Sequence, residues 1–475
     1  MSVELEKIYR DTEAFRNHIG TVDEEGKRIW MYPKKPSGRF YRARTVLSWF
    51  LLAFLFGAPF IEVGGEPLLL LNVIDRKFII FGLKFWPQDL HLFALSMLTL
   101  FVFIILFTVA FGRLFCGWIC PQTIFMEMVF RKIEYAIEGD AHRQRKLNKG
   151  PWTWEKIWKK GLKTGIFYAI AFLIGNTFLA YIIGVDQLYE IVTAPPSEHL
   201  VGLSAMVMFS FVFYGVFAWF REQACVMVCP YGRLQGVLLD QDSVVISYDF
   251  KRGEPRGKIR KSGGNGSDLA DQGDCIDCGL CVQVCPTGID IRNGTQLECV
   301  NCTACIDACD SVMDKIERPR GLIRYSSYNG IAEGKKFSIT PRMIAYGAIL
   351  TLLVSVVSFL LASRAPVEAT ILRTPGVLYQ ALDNDEIQNL YNLQVVNKTA
   401  EPRDISLRLA STGTALRLVS GETLHVPASS LAESAFFVRL PKNGLSGTTT
   451  PIQIEVYDGD NRIEVVRTNF AGPAR

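Results

Sequence analysis

Five uncharged apolar runs constrain this 475-residue chain more than any other feature. They extend from Thr45 to Ile61, Leu90 to Gly112, Thr164 to Val185, Leu200 to Phe220 and Met343 to Ser363. Runs of this length are what α-helices need to cross the ~30 Å hydrocarbon core of a bilayer. The first, at 17 residues, sits at the short limit, and the other four span comfortably. Leu68 to Phe85 is apolar on both sides of Asp75, Arg76 and Lys77. Three charges in mid-bilayer are costly, so a short hairpin is expected there rather than a sixth crossing. The mean hydropathy of +0.19 averages over the spans and two polar regions. A hydrophobic fraction of 49% with a net charge of only +4 excludes a disordered chain and a polycationic nucleic-acid binder.

Basic residues mark the cytoplasmic side. Lys and Arg number 10 before the first span, 11 in residues 113–163 and 16 in 221–342, against 3 in 62–89 and none in 186–199. The N-terminus is therefore expected inside and, after five crossings, the C-terminus outside. Residues 1–20 have no apolar core of the signal-peptide kind. In residues 364–475 the stretches "NLQVVN", "ISLRLA", "SAFFVRL", "IQIEVYD" and "RIEVVRTNF" alternate between turn residues, the pattern of a small β-sandwich. "YDGDNRIEV" holds the clearest hairpin turn.

All twelve cysteines lie between Cys116 and Cys309, so cysteine serves local chemistry here and not a disulfide framework. Eight of them form Cys275-x2-Cys278-x2-Cys281-x3-Cys285-Pro286 and Cys299-x2-Cys302-x2-Cys305-x3-Cys309. Three thiolates at two-residue intervals wrap one iron-sulfur cube, and the fourth reaches across to the other. The spacing assigns Cys275, Cys278, Cys281 and Cys309 to one [4Fe-4S] cluster, and Cys299, Cys302, Cys305 and Cys285 to the second. Zinc also takes thiolates but does not need this doubled triad. Pro286 and Gly288 match the bacterial two-cluster ferredoxin pattern, whereas Asp310 stands where a proline follows the last cysteine.

The other four cysteines are repeated. "FGRLFCGWICPQTIFMEMVF" follows the second span and "FREQACVMVCPYGRLQGVLL" the fourth. Each is a Cys-x3-Cys-Pro; on a continuing helix both thiols of a pair face one side, and the proline suits the first turn of a new helix. Because both spans run inward, the two hairpins read as parallel repeats. If they pair, Cys116, Cys120, Cys225 and Cys229 converge at the cytoplasmic membrane surface. Such a thiolate set suits Cu(I) or another iron-sulfur centre, with Met126, Met128 and Met227 near enough in sequence to add thioethers. Buried cysteine as a small apolar residue is the plain alternative. No histidine lies in the middle of a span, which argues against buried haems. His91 and His199 stand at the outer ends of the second and fourth spans and could form a paired site for copper or quinol. Tyr248 to Asp268 reads as a solvated basic linker, or as a docking strip for an electron donor or for the cluster domain against the membrane.

These features give a multi-domain membrane protein with five transmembrane α-helices, a bacterial-type two-[4Fe-4S] ferredoxin domain and a C-terminal β-sandwich. The expected divisions are a cytoplasmic segment over 1–44, a four-helix membrane region over 45–240, a linker and ferredoxin domain over 241–342, a fifth helix over 343–363 and an outer β domain over 364–475.

"FCGWICPQTIF", "CVMVCPYGR", "YDFKRGEPRG" and the doubled ferredoxin motif, in this order with five spans, resemble the CcoG family of cytochrome c oxidase accessory proteins, also called FixG or RdxA. The matching segments extend over most of residues 40 to 365. The Cys-x3-Cys-Pro spans are also similar to NapH-type and NosR-type membrane ferredoxins, but the outer β domain and "RGEPRG" favour CcoG. The resemblance implies a bacterial inner-membrane location with a periplasmic C-terminal domain whose β-sandwich is immunoglobulin-like. It also implies assembly of a cbb3-type oxidase through reduction of Cu(II) to Cu(I), with oxidase subunits or copper-delivery proteins as partners. Cys116, Cys120, Cys225 and Cys229 would then take copper and one electron from the cluster pair. Two other functions fit the same parts: a quinol-linked electron-transfer subunit using His91 and His199, and a non-catalytic scaffold whose outer domain grips a partner.

Overall fold

Where the sequence runs apolar without charge, the chain is helical. In a computed structural model, Arg39–Phe60, Leu90–Phe111, Trp154–Ile183, Leu200–Phe220 and Pro341–Ala362 are each long and apolar enough to cross a bilayer. Residues 21–473 are described, except 23–24, 26, 74–76, 86–88, 259–271, 375, 377–378, 383–384, 400, 411–414 and 429. The first span is not short: it begins at Arg39, six residues before the apolar run, and has 22 residues. The third begins at Trp154, where the Thr153 hydroxyl caps it by accepting from the Lys156 amide at 3.3 Å. The hairpin expected before the second span gains a third strand, so that Leu69–Asn72, Lys77–Ile80 and Leu83–Phe85 form an antiparallel meander. Asp75 and Arg76 fall outside the described residues.

The chain divides into two compact units, Met1–Glu62 with Pro67–Val357, and Ser358–Arg475 with the short Val63–Glu66. In the first, the third and fourth spans approach closely at Gly175, where a Cβ would stand 3.3 Å from the Ser210 amide. Below them an aromatic core forms: Phe130 stacks on Phe217 at 4.6 Å and meets Phe167 edge-on at 4.7 Å. Tyr181 ties the third span to the first by donating to the Leu55 carbonyl at 2.7 Å. The eight ferredoxin cysteines lie in this same unit. The fifth span has no residue of its apolar window buried within the structure.

The second unit is a β-sandwich. One sheet runs Ala415–Leu418, Leu431–Pro441, Glu386–Asn397, Val367–Arg373, with Gln380–Ala381 also paired to Glu386–Asn397; the other runs Leu424–Val426, Arg403–Leu409, Thr449–Asp458, Asn461–Ala471. Alternate residues point inward, so Tyr391, Leu393 and Val395 are fully buried against Phe436, Ile454 and Phe470. The five stretches anticipated from alternation are all strands; Val367–Arg373, Ala415–Leu418 and Leu424–Val426 were not anticipated. The expected hairpin closes with Asp458 opposite Asn461, and Gly459 takes the φ of 60° that its tight turn requires.

Phe436 stacks on Tyr391 at 5.4 Å inside this core. Phe436→Ala should destabilise the β unit by about 3–5 kcal/mol. Limited proteolysis of the full chain should then cut within 358–475 while bound iron stays unchanged; iron lost together with the β unit would contradict the independence of the two cores.

Candidate functional site

Cys275, Cys278, Cys281 and Cys309 line one cavity of about 370 Å³ with Tyr248, Met313 and Ile323. Cys285, Cys299, Cys302 and Cys305 line another of about 330 Å³, which Cys281 also borders. The loops around them repeat at a spacing of 24 residues: Asp277 and Asn301 have φ of 50° and 52°, and Gly279 and Thr303 have φ of 63° and 65°. These left-handed turns fold backbone N–H groups inward. The amides of Thr287, Gly288 and Ile289 reach Cys285, that of Asn301 reaches Cys299 and that of Ala304 reaches Cys302. A β-branched residue costs about 1–3 kcal/mol in such a conformation. Thr303 is held there by complete burial and by its hydroxyl donating to the Cys302 carbonyl at 2.6 Å.

Cys305 and Cys309 stand one turn apart on the helix Ala304–Lys315. Asp310 follows inside that helix, where proline would break it, and accepts from the Gly321 amide at 3.0 Å. Burial pushes the thiols of Cys281, Cys302 and Cys309 up to about 12 and that of Cys299 up to about 11. Metal-free, these thiols keep their protons at neutral pH, and metal loading must release them. Four soft donors per cavity and inward N–H groups fit two [4Fe-4S] groups.

The two Cys-x3-Cys-Pro segments share one geometry at a spacing of 109 residues. The second span ends at Gly112 (φ 55°, ψ −129°) and the fourth at Arg221 (φ 54°, ψ −124°). Cys120 and Cys229 are non-helical, each capping a short helix that begins with proline. The cysteine pairs therefore sit across a helix break, not on a continuing helix. The segments cross: the Cys116 thiol donates to Gln235 Oε1 at 3.3 Å, and Thr123 hydrogen-bonds Cys225. Burial pushes Cys116 up to about 11 and Cys225 up to about 12, with Cys120 and Cys229 adding to both. Among the described residues no three His, Cys, Asp or Glu gather as tightly as a single-ion chelate, so the four thiols are neighbours, not a preformed tetrahedral set.

This four-cysteine segment lies directly against the loop carrying Cys299 and Cys302. A Cβ on Gly117 would stand 2.1 Å from the Asn301 carbonyl oxygen, so only glycine permits the approach. Arg44, buried, donates to the Gly117 carbonyl at 2.9 Å and to that of Cys302 at 2.7 Å. Arg113 donates to the carbonyls of Leu297, Cys299 and, at 2.6 Å, Gly232. The Asp307 carboxylate accepts from the amides of Phe40 and Tyr41 at 3.1 and 2.7 Å, capping the first span from the ferredoxin helix. This cap explains why that span starts early.

Sequence reasoning missed a buried ionic cluster between the repeats. Arg221 grips Glu134 through two bonds of 2.9 and 2.7 Å. Arg131 pairs with Glu127 at 3.1 Å and Glu222 at 3.7 Å, while Lys163 reaches Glu138 at 2.8 Å. Burial pushes the Glu134 carboxyl up, but Arg221, Arg131 and Lys163 outweigh it and hold the group below its ordinary range. A cavity of about 300 Å³ beside this cluster is lined by Met126, Glu222, Cys225, Thr287 and Val300. Met128 instead accepts the Thr45 hydroxyl at 3.9 Å, and Met227 is exposed. His91 is exposed and His199 half-buried, each heading its span. Residues 259–268 of the presumed linker lie outside the described residues. Its first part is anchored: Tyr248 and Phe250 are buried in the ferredoxin core, and Arg252 bonds Asp274 and the Pro319 and Arg320 carbonyls, while Lys251 and Arg256 are exposed.

Three family descriptions match the chain: a 4Fe-4S dicluster domain over residues 220–328, a 4Fe-4S binding domain over 93–149, and the Ig-like fold at the C-terminus of FixG over 357–473. All twelve cysteines fall within the first two. The chain is 32% identical to Protein RdxA of Cereibacter sphaeroides over 91% of its length and 94% of that protein. It is 29% identical to nitrogen fixation protein FixG of Rhizobium meliloti over 94% of its length and 93% of that protein. Protein RdxB of Cereibacter sphaeroides is 34% identical over 81% of this chain and 83% of that protein.

Two predictions follow from the packing. Gly117→Val should force the Asn301 loop away, seen as faster hydrogen exchange across 296–303; protection equal to wild type would refute the close approach. Glu134→Gln removes the buried carboxylate that Arg221 grips through two bonds and should cost about 3–5 kcal/mol of stability. Because the Glu134 carboxyl is held low, the wild type should keep this contribution above the ordinary carboxylate pKa of about 4.3 and lose it as the pH falls further, through the lowered folded value. Thermal midpoints of the detergent-solubilised protein from pH 7 to pH 3 check both sign and size.

Proposed function

The chain belongs to the FixG/RdxA family and is a membrane iron-sulfur redox protein; on that premise we propose that it reduces Cu(II) to Cu(I) for assembly of a cbb3-type cytochrome c oxidase. The observation that carries this reading is the meeting of Cys116, Cys120, Cys225 and Cys229 beside the Cys285–Cys299–Cys302–Cys305 cavity. In this reading Cys275, Cys278, Cys281 and Cys309 hold one [4Fe-4S] group, and Cys299, Cys302, Cys305 and Cys285 the second. When bound, these groups supply single electrons drawn from a low-potential one-electron donor.

Copper is the substrate, and one electron converts Cu(II) to Cu(I). Thiolates favour the reduced ion, which supplies driving force. Met126, buried beside Cys225, offers a thioether. Arg44, Arg113 and Gly117 keep the copper-binding segment pressed to the electron-supplying loop. Basic-residue asymmetry supports a cytoplasmic N-terminus and cytoplasmic ferredoxin loops, with the Ig-like unit on the opposite, periplasmic side. That unit would contact an oxidase subunit or a copper-delivery protein.

A second reading has its own support. The match of residues 93–149 to a 4Fe-4S binding domain, and thiols spread more widely than a single-ion chelate, favour a further iron-sulfur group at the four cysteines. Replacing Cys116, Cys120, Cys225 and Cys229 with Ser decides between them. Copper reduction is expected to fall to background with iron content and the ferredoxin EPR signals intact. Retained activity would sink the copper assignment, and a loss of iron with the four cysteines would favour the second reading.

A further inference from the structure

Gln235 lies on the helix that begins at Pro230 and is fully buried. Its Oε1 accepts from the Cys116 thiol at 3.3 Å, while its Nε2, on the side of the Tyr231 hydroxyl, has no acceptor within 3.5 Å. A buried amide N–H without an acceptor is costly and in native proteins usually has a reason. The same arrangement occurs once more, inside the matched 4Fe-4S dicluster domain. There the Cys299 thiol approaches Asn301 Oδ1 at 3.5 Å, and Asn301 Nδ2, also buried, has no partner. In both places an amide accepts from a cysteine S–H and keeps its own N–H idle.

A metal-bound thiolate has no proton to donate and can only accept, so an amide facing it must present N–H. Turning the Gln235 amide over about its last bond does this and gives the idle donor a partner. Tyr231 lies one turn earlier, beside both Gln235 and Cys116. Its hydroxyl, 3.1 Å from Thr108 Oγ1, can serve either amide atom because it both donates and accepts. We propose that Gln235 is a positioning residue of the four-cysteine site, whose Nε2–H donates to the Cys116 sulfur when that sulfur is a metal-bound thiolate. The inference rests on the four-thiolate reading of that site and adds the residue that recognises the bound state.

The test uses anaerobically purified full-length protein in detergent with its iron in place. It is titrated with Cu(I) against a chromophoric chelator, and separately with Co(II), whose sulfur-to-metal charge-transfer band reports hydrogen bonding at the thiolate. Gln235→Met keeps the volume and removes the donor, and Gln235→Asn keeps the amide but withdraws it by one methylene. Both should weaken Cu(I) binding about tenfold and move the Co(II) band to lower energy, with iron content unchanged. A structural role alone would not shift the band. Wild-type affinity and band position in both variants would overturn the inference. If the wild-type cysteines take up neither ion, the copper-binding reading on which this inference rests falls, and the inference with it.

Discussion

Gly117 packed on the backbone of Val300 and Asn301 is the contact on which the working part of the molecule depends. Backbone meeting backbone leaves carbonyl groups that water can no longer reach, and such groups need donors. Arg44 and Arg113 supply them, bonding Gly117, Cys302, Cys299 and Gly232. Each guanidinium offers several N–H groups in a fixed fork, so one side chain can hold carbonyls from two segments at once. Asp307 adds a third tie by capping the first span from within the ferredoxin helix. The helices and the cysteine-rich loops consequently form one compact unit in place of a tethered domain.

The two membrane repeats reach the same turn by different means. Gly112 adopts its positive φ without penalty and leaves room for the Val244 carbonyl, which a Cβ would approach to 2.6 Å. Arg221 adopts nearly the same angles with a full side chain, and that strain persists because its guanidinium is fixed by Glu134 and packed over Trp30 at 5.4 Å. The asymmetry has a use. The first repeat gives close approach to the ferredoxin loop, and the second gives a buried charge cluster that clamps the repeats together, so that Cys116 and Cys225 each bond a residue of the opposite segment.

Much of this was legible in the sequence, because length of apolar run and cysteine spacing are local signals. The five helices, the doubled ferredoxin motif and most sandwich strands follow from them. What escaped is what depends on distant partners. The early start of the first span needs Asp307, more than 260 residues away. Arg131, Lys163 and Arg221 count as loop charges in a topology argument, yet they are held at the repeat interface by Glu127, Glu134 and Glu138. Tyr248 to Asp268 reads as basic linker because its charges dominate its composition; Tyr248 and Phe250 fix the place of its first part by burial. Gln235 carries no sequence signal, since its meaning comes only from the sulfur it faces.

Copper K-edge X-ray absorption tests the central claim most directly. The full-length protein is reduced, given one equivalent of Cu(II) and frozen. The account predicts a Cu(I) edge with a sulfur-dominated shell, lost when Cys116, Cys120, Cys225 and Cys229 are replaced. A persistent Cu(II) edge, or a shell of nitrogen and oxygen alone, would contradict it.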